Sequence, residues 1–546
     1  MSYSVVRGAP TAAQLYLDGI LDRVLEENGV QPDPKQREQV VLSQVMHYCL
    51  KKNPASTFMI NGATGEVITN EKLLKRTVPL ARALTAQGMK GVQAMVLMRN
   101  HKHTAAVYFA SIFAGIKAFM MDPNTTVYEL THFLNLIEPR IVFCDREFYE
   151  ALHVAMPEGL SPKIVVADEV GQLEQLAVGY SDDVDSYQVA ESLPEDTVIY
   201  LPTSGSSGLP KAAKMNNRGL VIQLPLIWSY HTQFPTPTEL VMILTTIQWA
   251  TFTMAITSCV ANNVPILISP KMTTVEHVCE LLEKYRPTWT FLSPALASGV
   301  VVSVTKDQMS SVQTLILLGA PATPELMAAI KEKLPVTAHL CDGYGSTETQ
   351  GFITLPDRDA PMKSTGTLLN IFQYKIVDDN GQELGLNQTG ELHVKGASVI
   401  KGYYKNEKTS METFTSDGWY KTGDMFHVDE NEQFFFIIRK KFSFKYKGSQ
   451  VSPEEVERVI GSVPGVHECV VIGTENGPTA AVVLQPNSQI TREEIKKAVD
   501  ATLSDHKRLH GGIAFVESLP HTHSGKVKRL DCSKLLEDLL KSGLCY

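Results

Sequence analysis

The chain has 546 residues, 44% of them hydrophobic, with 50 basic against 59 acidic side chains and a net charge of −9. At about 100–200 residues per domain this predicts two to four domains with ample apolar mass for a large core. Ordinary glycine (36) and proline (29) usage excludes a collagen-like or low-complexity chain, and the acidic balance argues against a bulk nucleic-acid binder.

Near the N-terminus Asp18 interrupts the only apolar stretch, so no secretory signal is read. From about residue 90 to 345, short apolar runs alternate with helical patterns. Strands are predicted at 92–98, 140–144, 164–167, 198–201, 240–244, 265–269, 288–292, 314–318 and 338–341. Several are apolar throughout, as strands covered on both faces must be, and the alternation predicts doubly wound parallel sheets. The charge-free stretch 240–270 is long enough to cross a bilayer, but Thr245, Thr246, Gln248, Asn262, Asn263 and Pro265 interrupt it. It reads as a strand, a helix and a strand in an α/β core, with no transmembrane segment.

Segments 372–377, 391–395 and 433–438, with an Asp379-Asn380-Gly381 turn, predict a β-rich subdomain. Beyond it a small α+β unit is read. Ser452-Pro453-Glu454-Glu455 caps one helix and Thr491-x-x-Glu494 a second, with strands at 470–473 and 480–484 between them. The fold class is therefore α/β: a large N-terminal domain with two parallel sheets and a β-rich subdomain over 1–438, then, after Arg439-Lys440-Lys441, a small α+β domain over 442–546. The eight cysteines form no C-x-x-C pair and no zinc spacing, which fits buried thiols in a reducing compartment. The chain ends Leu544-Cys545-Tyr546, not S-K-L, so the expectation is cytoplasmic, with a peroxisomal location as the alternative.

The most informative segment follows the 198–201 strand: Pro202-Thr203-Ser204-Gly205-Ser206-Ser207-Gly208-Leu209-Pro210-Lys211. Small and hydroxylated residues let amides and hydroxyls converge on a phosphate, with Lys211 adding charge. A flexible linker is the competing reading. The spacing is not that of a Walker-type loop. Two further segments stand at strand ends or turns: Gly343-Tyr344-Gly345-Ser346-Thr347-Glu348-Thr349 and Tyr420-Lys421-Thr422-Gly423-Asp424.

In order along the chain, these segments resemble the signatures of the adenylate-forming superfamily: acyl-CoA synthetases, coumarate-CoA ligases, beetle luciferases and peptide-synthetase adenylation domains. The resemblance extends to Gly319-Ala320-Pro321, Gly390-Glu391-Leu392, Gly402-Tyr403, Arg439, Lys445-Tyr446-Lys447-Gly448 and Ser524-Gly525-Lys526, and is closest to an insect luciferase-like acyl-CoA synthetase. It implies ATP, Mg²⁺ and CoA as cofactors and a small-molecule carboxylic acid as substrate, with no nucleic acid, in a monomer or weak dimer. The activity implied is acyl-adenylate formation followed by transfer to CoA, with a mobile small domain, 442–546, rotating about a hinge at 439–441 between the steps. The alternatives are a light-emitting oxidation of the adenylate and a weakened ligand-binding homologue.

The resemblance also implies roles. The Thr203–Lys211 loop would hold the β- and γ-phosphates, Thr347 the α-phosphate and Glu348 the metal. Asp424 and Arg439 would take the ribose. Gly319, Ala320 and Pro321 would wall the adenine, with Tyr344 stacked opposite, between Gly343 and Gly345. Lys526 would serve adenylation, and Lys445, on the opposite face of the small domain, thioester formation.

The chain also departs from the pattern. Gln248 or Trp249 stands where relatives carry a histidine beside the acyl pocket, and Asn217 replaces another histidine. Ile438 precedes Arg439 in place of an aspartate or glycine.

Overall fold

The computed structural model describes residues 9–169, 171–203, 210–442, 444–446, 449–451, 453–474, 476–503, 505–521 and 527–542. Two sheets carry the large domain. The first runs in the order His339–Asp342, Thr314–Leu317, Trp289–Leu292, Val241–Met242, Ile266–Ile268, Thr57–Asn61, Val67–Thr69, parallel except for the last pair. The second runs Lys163–Val166, Ile141–Cys144, Gln93–Leu97, Lys117–Met120, Thr197–Thr203, Lys211–Asn216, and again only the last pair is antiparallel.

The predicted doubly wound arrangement is present, and its cause is visible in the side chains. Along Thr314–Leu317, Ile316 points into one core while Leu315 and Leu317 point into another. Along Gln93–Leu97, Ala94 and Val96 enter the first core while Met95 and Leu97 enter a third. Strands that feed two cores must be apolar on both faces. The first core is shared by both sheets and by the helices Leu42–Lys52, Asn70–Ala86, Lys102–Phe113 and Ala250–Ala261. The last of these is buried from Thr251 through Ala261, which explains the charge-free stretch 240–270. Among the described residues no helix is long and apolar enough to cross a membrane.

The β-rich subdomain is a four-stranded antiparallel sheet, Phe372–Val377, Gly390–Gly396, Tyr420–Val428, Phe434–Arg439. The Asp379-Asn380-Gly381 turn joins its first two strands, with Gly381 at φ 80°. After the turn Lys440–Phe442 the C-terminal unit holds the hairpin Phe444–Tyr446 and Ser449–Val451. Its main sheet is Val466–Thr474, Gly477–Leu484 and Ile513–Phe515, packed by the helices Pro453–Gly461, Arg492–Thr502 and Arg529–Lys541. The Thr491 capping box is formed; Ser452 lies outside the described residues. The seven described cysteines are all free.

Candidate active site

Two antiparallel strands flank the Ser/Gly segment. Thr197–Thr203 turns back as Lys211–Asn216, with Thr203 in register with Lys211. Ser204, Gly205, Ser206, Ser207 and Gly208 lie outside the described residues. Thr203 contacts Glu348 directly, and Lys211 lies beside the Tyr403 ring that also reaches Glu348. This residue sits in the turn Thr347–Thr349, between the antiparallel strands Tyr344–Ser346 and Gly351–Leu355, and is 8% exposed. Its Oε1 accepts from Thr203 Oγ1 at 3.1 Å and from the Tyr403 hydroxyl at 2.8 Å. Lys211 Nζ stands 4.7 Å over the Tyr403 ring. Burial lowers the Lys211 pKa, against the opposing pull of Glu348 and Glu412. Burial, then the Glu348 charge, pushes the Tyr403 phenol far above its ordinary range. Tyr403 therefore stays a neutral donor.

A second cluster forms on the four-stranded sheet. Asp424 and Arg439 face each other in register. Arg439 Nε and Nη2 donate to the two Asp424 oxygens at 2.8 and 2.9 Å, and the Tyr344 hydroxyl donates to Asp424 Oδ2 at 2.7 Å. Bidentate guanidinium–carboxylate geometry is the strong form of this pairing. Asp424 is 2% exposed. The Tyr344 ring packs 4.7 Å from that of Phe426. Tyr344 and Glu348 belong to one short segment, so residues 344–348 join the two clusters, with Thr347 between them.

Gly319 follows the strand Thr314–Leu317 at φ 91°, a left-handed conformation that glycine adopts freely. It leads through Ala320 and Pro321 to the Ala322 amide, which donates to Asp342 Oδ2 at 2.9 Å. Burial raises the Asp342 carboxyl to about 7, partly offset by that amide. Gln248 and Trp249 share the loop before the helix Ala250–Ala261, and Trp249 is its N-cap. Gln248 is buried, and its Oε1 has no hydrogen-bond partner among the described residues.

A sequence model described as AMP-binding enzyme matches residues 47–404, and one described as AMP-binding enzyme C-terminal domain matches residues 455–526. The chain belongs to the AMP-binding enzyme family. It is 28% identical over 515 residues to the probable 4-coumarate–CoA ligase 3 of Dictyostelium discoideum, covering 88% of this chain and 92% of that protein. It is 28% identical over 509 residues to the luciferin 4-monooxygenase of Luciola mingrelica, covering 88% and 91%. The ATP-bound crystal structure of MatB from Rhodopseudomonas palustris shares the fold, with a TM-score of 0.83 at 23% identity over 92% of this chain and 100% of that one.

Three basic residues of the C-terminal unit are placed differently. Lys526 lies outside the described residues. Lys445 is in the strand Phe444–Tyr446, in register with Gln450. Arg529 is used internally: it donates to Glu457 at 2.7 and 2.5 Å and lies 3.5 Å from Glu454. In the hinge candidate, Lys440 Nζ reaches Glu391 at 2.9 Å and Asp379 at 3.3 Å. Burial would raise the Glu391 carboxyl, but His393 and Lys440 overcome it and hold it at about 2. His521 pairs with Glu468 at 2.6 Å, and the described residues contain no group of three or more metal-ligating side chains.

Sequence reasoning missed Tyr403 as a partner of Glu348, and Asp342 altogether. Tyr403 stands in a quoted motif, but its partner is 55 positions away and no spacing rule links them. Asp342 had a usable signal, a carboxylate at a strand end directly before Gly343-Tyr344.

Proposed function

We propose that this AMP-binding enzyme activates a carboxylic acid in two steps. The acid first attacks the α-phosphorus of ATP and releases pyrophosphate, leaving an acyl-adenylate. The thiol of CoA then takes the acyl group and AMP leaves. The observation that carries this reading is the 344–348 segment, which gives Tyr344 to the Asp424–Arg439 cluster and Glu348 to the Lys211–Thr203 cluster. In ATP the α-phosphate lies between the ribose and the β- and γ-phosphates in the same way, and on this reading Thr347 would serve it.

On this reading Asp424 accepts from the ribose hydroxyls, with Arg439 holding the carboxylate in place. Gly319, Ala320, Pro321 and Tyr344 flank the adenine, and Gly343 and Gly345 let the strand approach. Thr203, Lys211 and the Ser/Gly segment between them in sequence grip the terminal phosphates. Burial has removed most water from Lys211, which strengthens its attraction for an incoming phosphate. Glu348 is a chemically suitable Mg²⁺ ligand. Its described partners on Oε1 are hydroxyls, so its charge is not cancelled there, and Mg²⁺ takes one or two carboxylates plus phosphate oxygens. Bound there, the ion would neutralise phosphate charge. Lys526 would stabilise charge during adenylation, and Lys445 would serve thioester formation after the small domain, 442–546, turns about 439–441. Gln248 and Trp249 would border the acid.

The test is a panel of carboxylic acids with ATP, Mg²⁺ and CoA, read by pyrophosphate release and by thioester. Acid-dependent release of pyrophosphate is expected with at least one compound. If no acid raises pyrophosphate above the acid-free background, the chain is a binding protein and the reading fails.

A further inference from the structure

Four segments supply the Glu348 cluster, and three of them also send one residue each to a second, deeper contact. The strand Lys211–Asn216 carries Lys211 at one end and Asn216 at the other. The turn after Ser346 carries Glu348 and then Gln350. The segment 398–403 carries Ser398 and Tyr403. Gln350 and Asn216 form a reciprocal amide pair: the Asn216 backbone N–H donates to Gln350 Oε1 at 3.0 Å, and Gln350 Nε2 donates to Asn216 Oδ1 at 3.0 Å. Gln350 Nε2 also donates to the Ser398 carbonyl at 3.0 Å. All three residues are at most 5% exposed.

The surrounding backbone is shaped to this contact. Gln350 is held at φ 60°, in the left-handed region that a residue with a Cβ normally avoids. Gly219 lies in the helix Asn217–Gln223, where glycine is unfavourable, yet a Cβ there would fall 1.8 Å from Gln350 Nε2. Its N–H donates to Asn216 Oδ1 at 2.9 Å, so the oxygen that caps the helix also receives the clasp.

We propose that Gln350, Asn216 and Ser398 form a positioning clasp that fixes the alignment of the Lys211 strand and the Tyr403 segment against the Glu348 turn. The clasp thereby tunes the grip on the β- and γ-phosphates; the proposal rests on the adenylation reading. At their other ends the segments are laced by backbone bonds: Ile400 N–H to Glu348 O at 2.8 Å, Tyr404 N–H to Ala212 O at 2.8 Å and Lys214 N–H to Gly402 O at 3.4 Å. Backbone ladders repeat along a strand and permit slippage, whereas a buried side-chain pair is satisfied in one alignment only. Asp424 and Arg439 belong to another sheet. The clasp should therefore govern triphosphate binding and leave nucleoside binding alone.

The experiment measures dissociation constants of the full chain for MgATP and for AMP by calorimetry, with urea midpoints recorded alongside. Gln350→Leu is expected to weaken MgATP about tenfold, the scale of one well-made buried polar contact, with AMP unchanged. Gly219→Ala should act the same way, because its methyl displaces the amide. Asn216→Asp keeps the accepting oxygen and should stay near wild type. Should Gln350→Leu not fold, Gln350→Glu serves. It keeps the acceptor but faces two oxygens with a carboxylate, so its MgATP affinity should recover as pH falls and the acid becomes a donor. Equal weakening of MgATP and AMP, or unaltered MgATP affinity, overturns the clasp. A wild-type chain that binds neither nucleotide sinks the adenylation reading itself, and the clasp with it.

Discussion

The two halves of the candidate site are built on opposite electrostatic plans. At the Asp424 end a carboxylate is matched by a guanidinium in register, with a phenol added, all held by one antiparallel sheet and one neighbouring strand. At the Glu348 end, lysine faces an aromatic ring and glutamate receives hydroxyls. The first end is rigid and nearly complete. The second holds a desolvated cation and a carboxylate partnered by neutral groups, an arrangement that favours an anion and a divalent cation arriving together. A nucleotide has the same division, since its ribose is neutral and constant while its phosphates arrive charged and leave as pyrophosphate.

The largest expected departure from this picture comes at the rigid end. Asp424→Ala removes the proposed ribose acceptor and leaves Arg439 without its bidentate partner. It should weaken AMP and ATP together by about a hundredfold and cost about 2 kcal/mol of stability in urea. Lys211→Met keeps the apolar stem on Tyr403 but removes the charge. It should weaken ATP about thirtyfold and spare AMP, as a charge-assisted contact to phosphate requires. A parallel loss of both nucleotides in that variant would merge the two ends into one. Tyr403→Phe removes one neutral donor from Glu348 and should cost about fivefold in ATP affinity, seen in the same titration.

The smallest effect is a pH slope. Lys211 has its pKa lowered by burial, so as pH rises it loses its proton before an ordinary lysine does. ATP affinity should begin to fall below the usual lysine range while AMP affinity, tied to Asp424 and an always-charged Arg439, stays flat. Stability moves the other way. Between the folded and unfolded pKa values the unfolded chain binds more protons, so this group adds stability as pH rises through that window. Coincident ATP and AMP profiles would remove Lys211 from the phosphate end.

The parts that could be read from sequence share a physical cause. Most parallel strands were identifiable because burial on two faces demands unbroken apolar runs, but Thr57–Asn61 and Lys117–Met120, also parallel, were not read. Strands without a β-branched run were not read either: Lys211–Asn216 reads Lys-Ala-Ala-Lys-Met-Asn, and its place is set by the ladder with Thr197–Thr203 and by burial of its alanines and Met215. Tyr420–Val428 alternates buried and half-buried along its length, but Gly423 and Asp424 make it read as a loop motif. Lys117–Met120 and Ile513–Phe515 are too short to show a period. In the site, individual residues came from motif positions, while partnerships did not. Spacing could not reveal that Tyr403 faces Glu348, or that Gln350 reaches back to Asn216.

The central claim is that adenylation and thioester formation are separate steps served by separate lysines. The most direct measurement assays both half-reactions on Lys526→Ala, using an acid that the wild-type enzyme activates, with Lys445→Ala as the mirror. Lys526→Ala is expected to lose acid-dependent ATP–pyrophosphate exchange by about a thousandfold, the scale of removing a group that stabilises charge in the transition state. It should still form the CoA thioester from supplied acyl-adenylate, and Lys445→Ala should do the reverse. Equal loss of both half-reactions in each variant would contradict the account.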